Sequence, residues 1–169
     1  MRSIAQIWGI GGVVLMLGFA VVRLAPMALA LRGYPLNALH WGALVFVVVY
    51  MAYAEGYKGF HLAFAPRVVA RASYLANHPS RIHLLFAPLF CMCYFHTTRK
   101  RQLVSIGLTA MIVCFVVIAR QLPSPWRGIV DAGVVVGLCI GIGSIFYYVI
   151  KVRSQSGDFF ALAEVPVKA

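Results

Sequence analysis

Apolar residues along this chain fall into long unbroken runs rather than into the alternation of a half-buried strand or the narrow stripe of a surface helix. Ile4–Val22, Leu36–Ala54, Leu103–Ala119 and the stretch from Pro125 to about Ile150 are each long and apolar enough to cross a bilayer. The first run has room to continue past Arg23 to Leu31, with a kink at Pro26. Gly33-Tyr34-Pro35 and Gln121-Leu122-Pro123 read as turns, and Ser124 followed by Pro125 reads as the N-cap and first turn of the last helix. Trp41 near one end of the second run, with Tyr50, Tyr53 and Tyr57 near the other, fits paired interfacial belts.

Two stretches break this pattern. Gly56-Tyr57-Lys58-Gly59-Phe60 reads as a helix break, after which Pro66 opens a new helix running to about Asn77. On it Arg67, Arg71, Tyr74 and His78 recur at steps of four, three and four, opposite Val68, Val69, Ala72, Leu75 and Ala76. That is the pattern of a basic amphipathic helix lying in the membrane interface. Ile82–Phe95 is apolar over fourteen residues, short for a span and interrupted by Pro88, and so reads as a re-entrant or interfacial segment.

The expectation is an all-α integral membrane protein, a four-span bundle with one basic interfacial helix and one short re-entrant segment; the alternative has five spans. One helical domain covers residues 1–153, with spans at about 4–24, 36–55, 103–120 and 125–151, an ambiguous segment at 82–96, and a tail at 154–169. The start resembles a secretory signal, with Ala28-Leu29-Ala30 like a cleavage site. Its apolar run of 19 residues is longer than the usual signal core of roughly 7–15, so a retained first helix is expected.

Composition sharpens the partner. Of 169 residues, 62% are hydrophobic and 11% charged, against about 25% charged in a soluble domain. The net charge is +11, with fifteen Lys and Arg against Glu55, Asp131, Asp158 and Glu164. The basic residues sit in short connections between apolar runs, not in an aromatic-lined groove. Anionic lipid headgroups are therefore the expected counter-charge rather than nucleic acid, with Lys58, Arg67, Arg71, Arg99, Lys100 and Arg101 meeting them. Four spans place eleven basic residues on the side of both termini and four (Arg23, Arg32, Arg120 and Arg127) on the other. Five spans divide them eight to seven. The positive-inside rule favours four spans with cytoplasmic termini, as in the inner membrane of a bacterium.

Candidate chemistry is sparse. Gly133, Gly137 and Gly141, spaced by four and extended by Ser144 and Tyr148, make a small-residue face for close helix approach, to the first span or to another subunit. Asp131 sits two turns into the last span with Arg127 and Arg120 as partners, in a structural pair or an intramembrane functional cluster. Glu55 closes the second span beside Lys58, either as an interfacial cap or as a proton or cation site. His40 and His96 could hold a haem only in the five-span arrangement. Cys93 with Cys91, Met92 and His96 forms a soft cluster suited to copper(I), though Cys91 and Cys93 would point apart on a helix. The four cysteines show neither disulfide nor zinc spacing. No phosphate-binding loop, dinucleotide glycine pattern, His-Glu-x-x-His or serine elbow is present, and the halves do not read as inverted repeats.

Three functions follow in order: a non-enzymatic accessory or assembly subunit of a larger membrane complex, a small transporter or channel using Glu55 or Asp131, and a haem or metal redox protein using His40 and His96. The expected partners are lipids and other membrane subunits or further copies of the chain. No cofactor is specified.

Overall fold

A computed structural model describes residues 2–77 and 86–154, and all regular structure among them is helical. Helix α1 spans Arg2–Ala30 and ends in a 3₁₀ turn at Leu31–Gly33. Helix α2 spans Ala38–Met51, a π-helical stretch follows over Ala52–Phe64, and α3 spans Ala65–Asn77. The short α4 is Ala87–Cys91, α5 is Arg99–Gln121 and α6 is Trp126–Ser154. Four helices are long and apolar enough to cross a membrane, Gln6–Gly33, Ala38–Asn77, Arg99–Gln121 and Trp126–Val152. Among the described residues there is no fifth.

Each start and stop has a local cause. Asn37 caps α2 by accepting from the His40 amide at 2.9 Å, and the His40 ring accepts back from the Asn37 amide at 3.4 Å. Pro26 is absorbed within α1, which runs four residues beyond it. The turn between α5 and α6 brings Trp126 edge-on to His40.

The second helix departs from the sequence pattern in two ways. Gly56–Phe60 does not break the second helix. The chain continues as one 40-residue helix from Ala38 to Asn77, about 60 Å at the usual rise and roughly twice the thickness of a hydrocarbon core. Its middle is widened to i→i+5 bonding, as in the Ala65 amide donating to the Phe60 carbonyl. Nor does residue range 66–77 lie apart as a flat interfacial helix. Nine residues of α3, Arg71 among them, are buried against α1, α4 and α6.

The core sits at one end of the bundle. Val13 of α1, Ala65, Val68, Val69, Ala72 and Leu75 of α3, Ala87, Phe90 and Cys91 of α4, and Ile145 of α6 form one buried cluster. Both ends of the described chain and the α3–α4 region therefore share this end, called the basic end below. At the opposite, turn end, Leu31 and Met27 pack on Gly128.

Within the ambiguous segment, residues 82–85 and the adjoining His78 and Arg81 lie outside the described residues, as does the tail beyond Ser154. The described part, Phe86–His96, packs on α1 and α3 through the five-residue α4, which is too short to cross a membrane. Arg71 clasps it. Its guanidinium donates to the carbonyls of Phe90 at 2.7 Å, Phe95 at 2.9 Å and His96 at 3.0 Å, and lies 4.1 Å over the Phe90 ring. Cys93 and His96 turn this hairpin through left-handed backbone, at φ 64° and 54°.

Helix α5 is the outlier. Among the described residues it touches the rest of the bundle sparsely, mainly at α6, and Ala119 is its one buried residue. Leu103 is 70% exposed and Ile118 62%. Its start is tied to the α4 hairpin by Gln102 donating to the Tyr94 carbonyl at 2.9 Å, and its middle by a Tyr94–Thr109 hydroxyl pair.

Candidate functional site: the seam between the π-helical stretch and α6

The glycine stripe of α6 faces the second helix of the same chain. A Cβ on Gly133 would lie 2.7 Å from Val47 Cγ1 and 3.2 Å from the Val47 carbonyl oxygen. One on Gly137 would meet Glu55 Cβ at 3.5 Å and Glu55 Oε2 at 3.7 Å, and one on Gly141 would fall 2.7 Å from the Phe60 ring. The fit is reciprocal, since Gly56 receives Ile140, whose Cδ1 lies 2.8 Å from where a Cβ would sit. A Cβ would collide at Gly133, Gly141 and Gly56 but make ordinary contact at Gly137, so the first three set how closely α6 and the second helix approach.

Glu55 consequently does not sit at a helix end. It lies at the level of Gly137, eleven residues from Trp126 and fourteen from Lys151 along α6, near the bundle's mid-length. It makes no ion pair or hydrogen bond among the described residues. Lys58 also differs from expectation. It lies on the exposed side of the same stretch between the levels of Gly137 and Ser144, with its ammonium 5.0 Å from the centre of the Tyr53 ring.

Toward the basic end the seam becomes polar. Ser144 donates to the Ile140 carbonyl at 2.7 Å, and its oxygen is 3.1 Å from His61 Nδ1. Because the serine proton is already committed, the imidazole Nδ1–H must be the donor in the second bond, leaving Nε2 as the basic nitrogen. Tyr57 stacks on the His61 ring at 5.7 Å, and Tyr147 and Tyr148 lie against it at 5.4 and 5.3 Å. The Lys151 ammonium sits 5.9 and 5.8 Å from those two tyrosine rings at the end of the seam. His61 was not among the residues singled out from sequence. Its partner lies 83 positions away, and the one available signal was Ser144, the first hydroxyl on an otherwise glycine face.

The other candidates disperse. Arg127 Nε approaches Asp131 Oδ2 at 3.7 Å across one turn, and that oxygen has no hydrogen bond. Arg120 is exposed at the end of α5 and joins no ion pair among the described residues, so the expected three-residue cluster reduces to a pair. Asp131 is six residues nearer the turn end than Gly137, about 9 Å along the axis, and no contact joins it to Glu55.

His40 and His96 lie at opposite ends, one against Trp126 and the other in the α4 hairpin, so they cannot ligate one haem. Cys93 is buried beside Cys91, and no group of three His, Cys, Asp or Glu able to hold a metal occurs among the described residues. Of the residues expected at lipid headgroups, Arg99 and Lys100 are exposed, Arg101 is half-buried, Arg67 donates to the Ala63 carbonyl, and Arg71 is fully buried. Arg71 departs from expectation because three backbone carbonyls and an aromatic face, not phosphate, surround its guanidinium.

No family model, no characterised protein and no solved structure matches this chain.

Proposed function

We propose that this chain is a small, non-enzymatic integral membrane protein that completes a larger membrane assembly, crossing the bilayer four times with both termini on the cytoplasmic side. The observation that carries the assembly reading is α5, a 23-residue apolar helix with a single buried residue, held to the rest of its own chain by a few side-chain contacts at Gln102 and Thr109 and by burial at Ala119. Intrachain bundles in lipid associate by close packing of small-residue faces, as α6 does on α2, and α5 has no such partner among the described residues. Other membrane subunits are the proposed cover. The test is a photo-crosslinking residue placed at Val113, mid-helix and 56% exposed, in cells. Covalent products with larger membrane proteins support the reading, and labelling of lipid alone counts against it.

Charge supports the orientation. Among the described residues, and with Lys58 and Arg71 set aside, seven basic residues (Arg2, Arg67, Arg99, Lys100, Arg101, Lys151 and Arg153) belong to the segments at the basic end and four to the turn end. Anionic headgroups remain the proposed counter-charge for Arg67, Arg99, Lys100 and Arg101 in the inner membrane of a bacterium.

A second reading, transport of a proton or small cation, is favoured by one specific observation. Glu55 lies at mid-length of a bundle of membrane-spanning size, inside a long π-helical stretch, and both intramembrane carboxylates and π-helical turns concentrate at functional sites. Flux measured in reconstituted vesicles with Glu55→Gln and Asp131→Asn tests it, and wild-type rates from both variants would remove these residues from the proposal.

A further inference from the structure

The second reading can be taken to a ligand and a direction. Gly137, Gly141, Ser144, Tyr148 and Lys151 follow one another at steps of four, three, four and three, so they share one face of α6. Opposite them, Glu55, Phe60 and His61 occupy successive levels of the widened helix. We propose that this seam is a proton relay opening toward the basic end, with His61 as the receiving base, Glu55 as the acceptor at mid-bundle, and the Phe60 ring as the barrier between them. It rests on the membrane-spanning reading but not on whether the chain acts alone or in an assembly.

The hydrogen bonds around Ser144 determine what His61 can do. The serine hydroxyl gives its proton to the Ile140 carbonyl and takes that of His61 Nδ1, which holds the imidazole in one tautomer with Nε2 free of hydrogen bonds among the described residues. Nε2 can then take a proton arriving from the basic end, past Tyr147, Tyr148 and Lys151, without breaking the bond to Ser144. Release of that proton toward mid-bundle restores the neutral ring and converts the Glu55 carboxylate to the acid. One proton moves and no other bond changes.

Gly137 and Ser144 are seven residues apart, about 10 Å along the helix, so the transfer needs intervening water. Phe60, seated on Gly141 between the two levels, must swing aside to admit it. The charged and titratable groups around the path are Lys58 and Tyr57 on the same stretch, Tyr147, Tyr148 and Lys151 on α6, and Arg67 on α3, which is engaged with Ala63. Chains of carboxylates and histidines inside membranes serve as proton relays, and histidine is the side chain whose ordinary titration lies nearest neutral pH.

The test is infrared spectroscopy of the full chain in liposomes, following the carbonyl stretch of a carboxylic acid as the outer medium is changed from H₂O to D₂O. The expected result is a band that appears on acidification, is lost in Glu55→Gln, and shifts on deuteration. His61→Phe should slow that shift about tenfold or more, Ser144→Ala should slow it a few-fold, and Phe60→Ala should speed it. A structural role for His61 alone would loosen the seam and speed exchange in every variant. The proposal is overturned if no such band is lost in Glu55→Gln, or if His61→Phe and Ser144→Ala exchange as fast as the wild type or faster. Failure here leaves the assembly reading untouched, because crosslinking at Val113 reports on a different surface.

Discussion

Replacing Arg71 by Met keeps a side chain of similar reach and removes the charge that clasps the α4 hairpin. The carbonyls of Phe90, Phe95 and His96 lose the guanidinium, that of Phe90 keeping the Cys93 amide, and the Phe90 ring loses its cation. Leaving buried acceptors without a donor typically costs about 1–3 kcal/mol, because the groups left behind stay desolvated. Cys91 reports the loss. Burial pushes its thiol up to about 12 from an ordinary value near 9, only partly offset by the Arg71 charge. Near pH 8 its reactive thiolate is therefore about a thousandfold scarcer than that of an exposed cysteine, and the buried sulfur is sterically shielded as well. Arg71→Met should lower the melting temperature in mild detergent and raise the rate of Cys91 alkylation by about 100-fold. Peptide mapping would separate Cys91 from Cys93, Cys114 and Cys139. Arg71→Lys, whose ammonium cannot span all three carbonyls, should fall between. An Arg71→Met protein with wild-type melting and an unreactive Cys91 would refute the clasp.

Other consequences are equally direct. Gly133→Ala should cost about 1–3 kcal/mol, because the new methyl meets Val47 side chain and backbone, whereas Gly143→Ala, with nothing within 4 Å, should be neutral or stabilise by up to about 1 kcal/mol; paired thermal melts compare them. Asn37→Ala should destabilise by about 1 kcal/mol through loss of the α2 cap, read by the same melts. Raising pH should weaken the fold through Cys91, since a thiol held protonated when folded contributes stability that is complete below about pH 9 and is lost as pH climbs toward 12; Cys91→Ala should flatten that alkaline limb of a stability–pH curve.

The long runs were legible because lipid demands continuous apolar helix, and each of the four helices of membrane-spanning length contains most of one run seen in the sequence, the second continuing well past its run to Asn77. The glycine spacing on α6 was legible for the same reason, since a face of small residues has few uses other than close approach. What was missed is tertiary in origin. Two glycines and a lysine at 56–59 read locally as a break, yet the helix is held together there by Ile140 seating on Gly56 and Phe60 on Gly141, matches made across helices. Arg71 read as one member of a basic stripe because its acceptors are backbone carbonyls 19 to 25 residues away, which carry no side-chain signal. Glu55 was misplaced with the break. Once the helix continues, an acid expected at an interface falls at mid-bundle.

Whether this chain completes a larger membrane assembly is tested most directly by native mass spectrometry after gentle solubilisation from its own membrane. The 18.5 kDa chain is expected bound to larger subunits that cover α5. A chain that emerges alone, or only with copies of itself, contradicts the assembly reading.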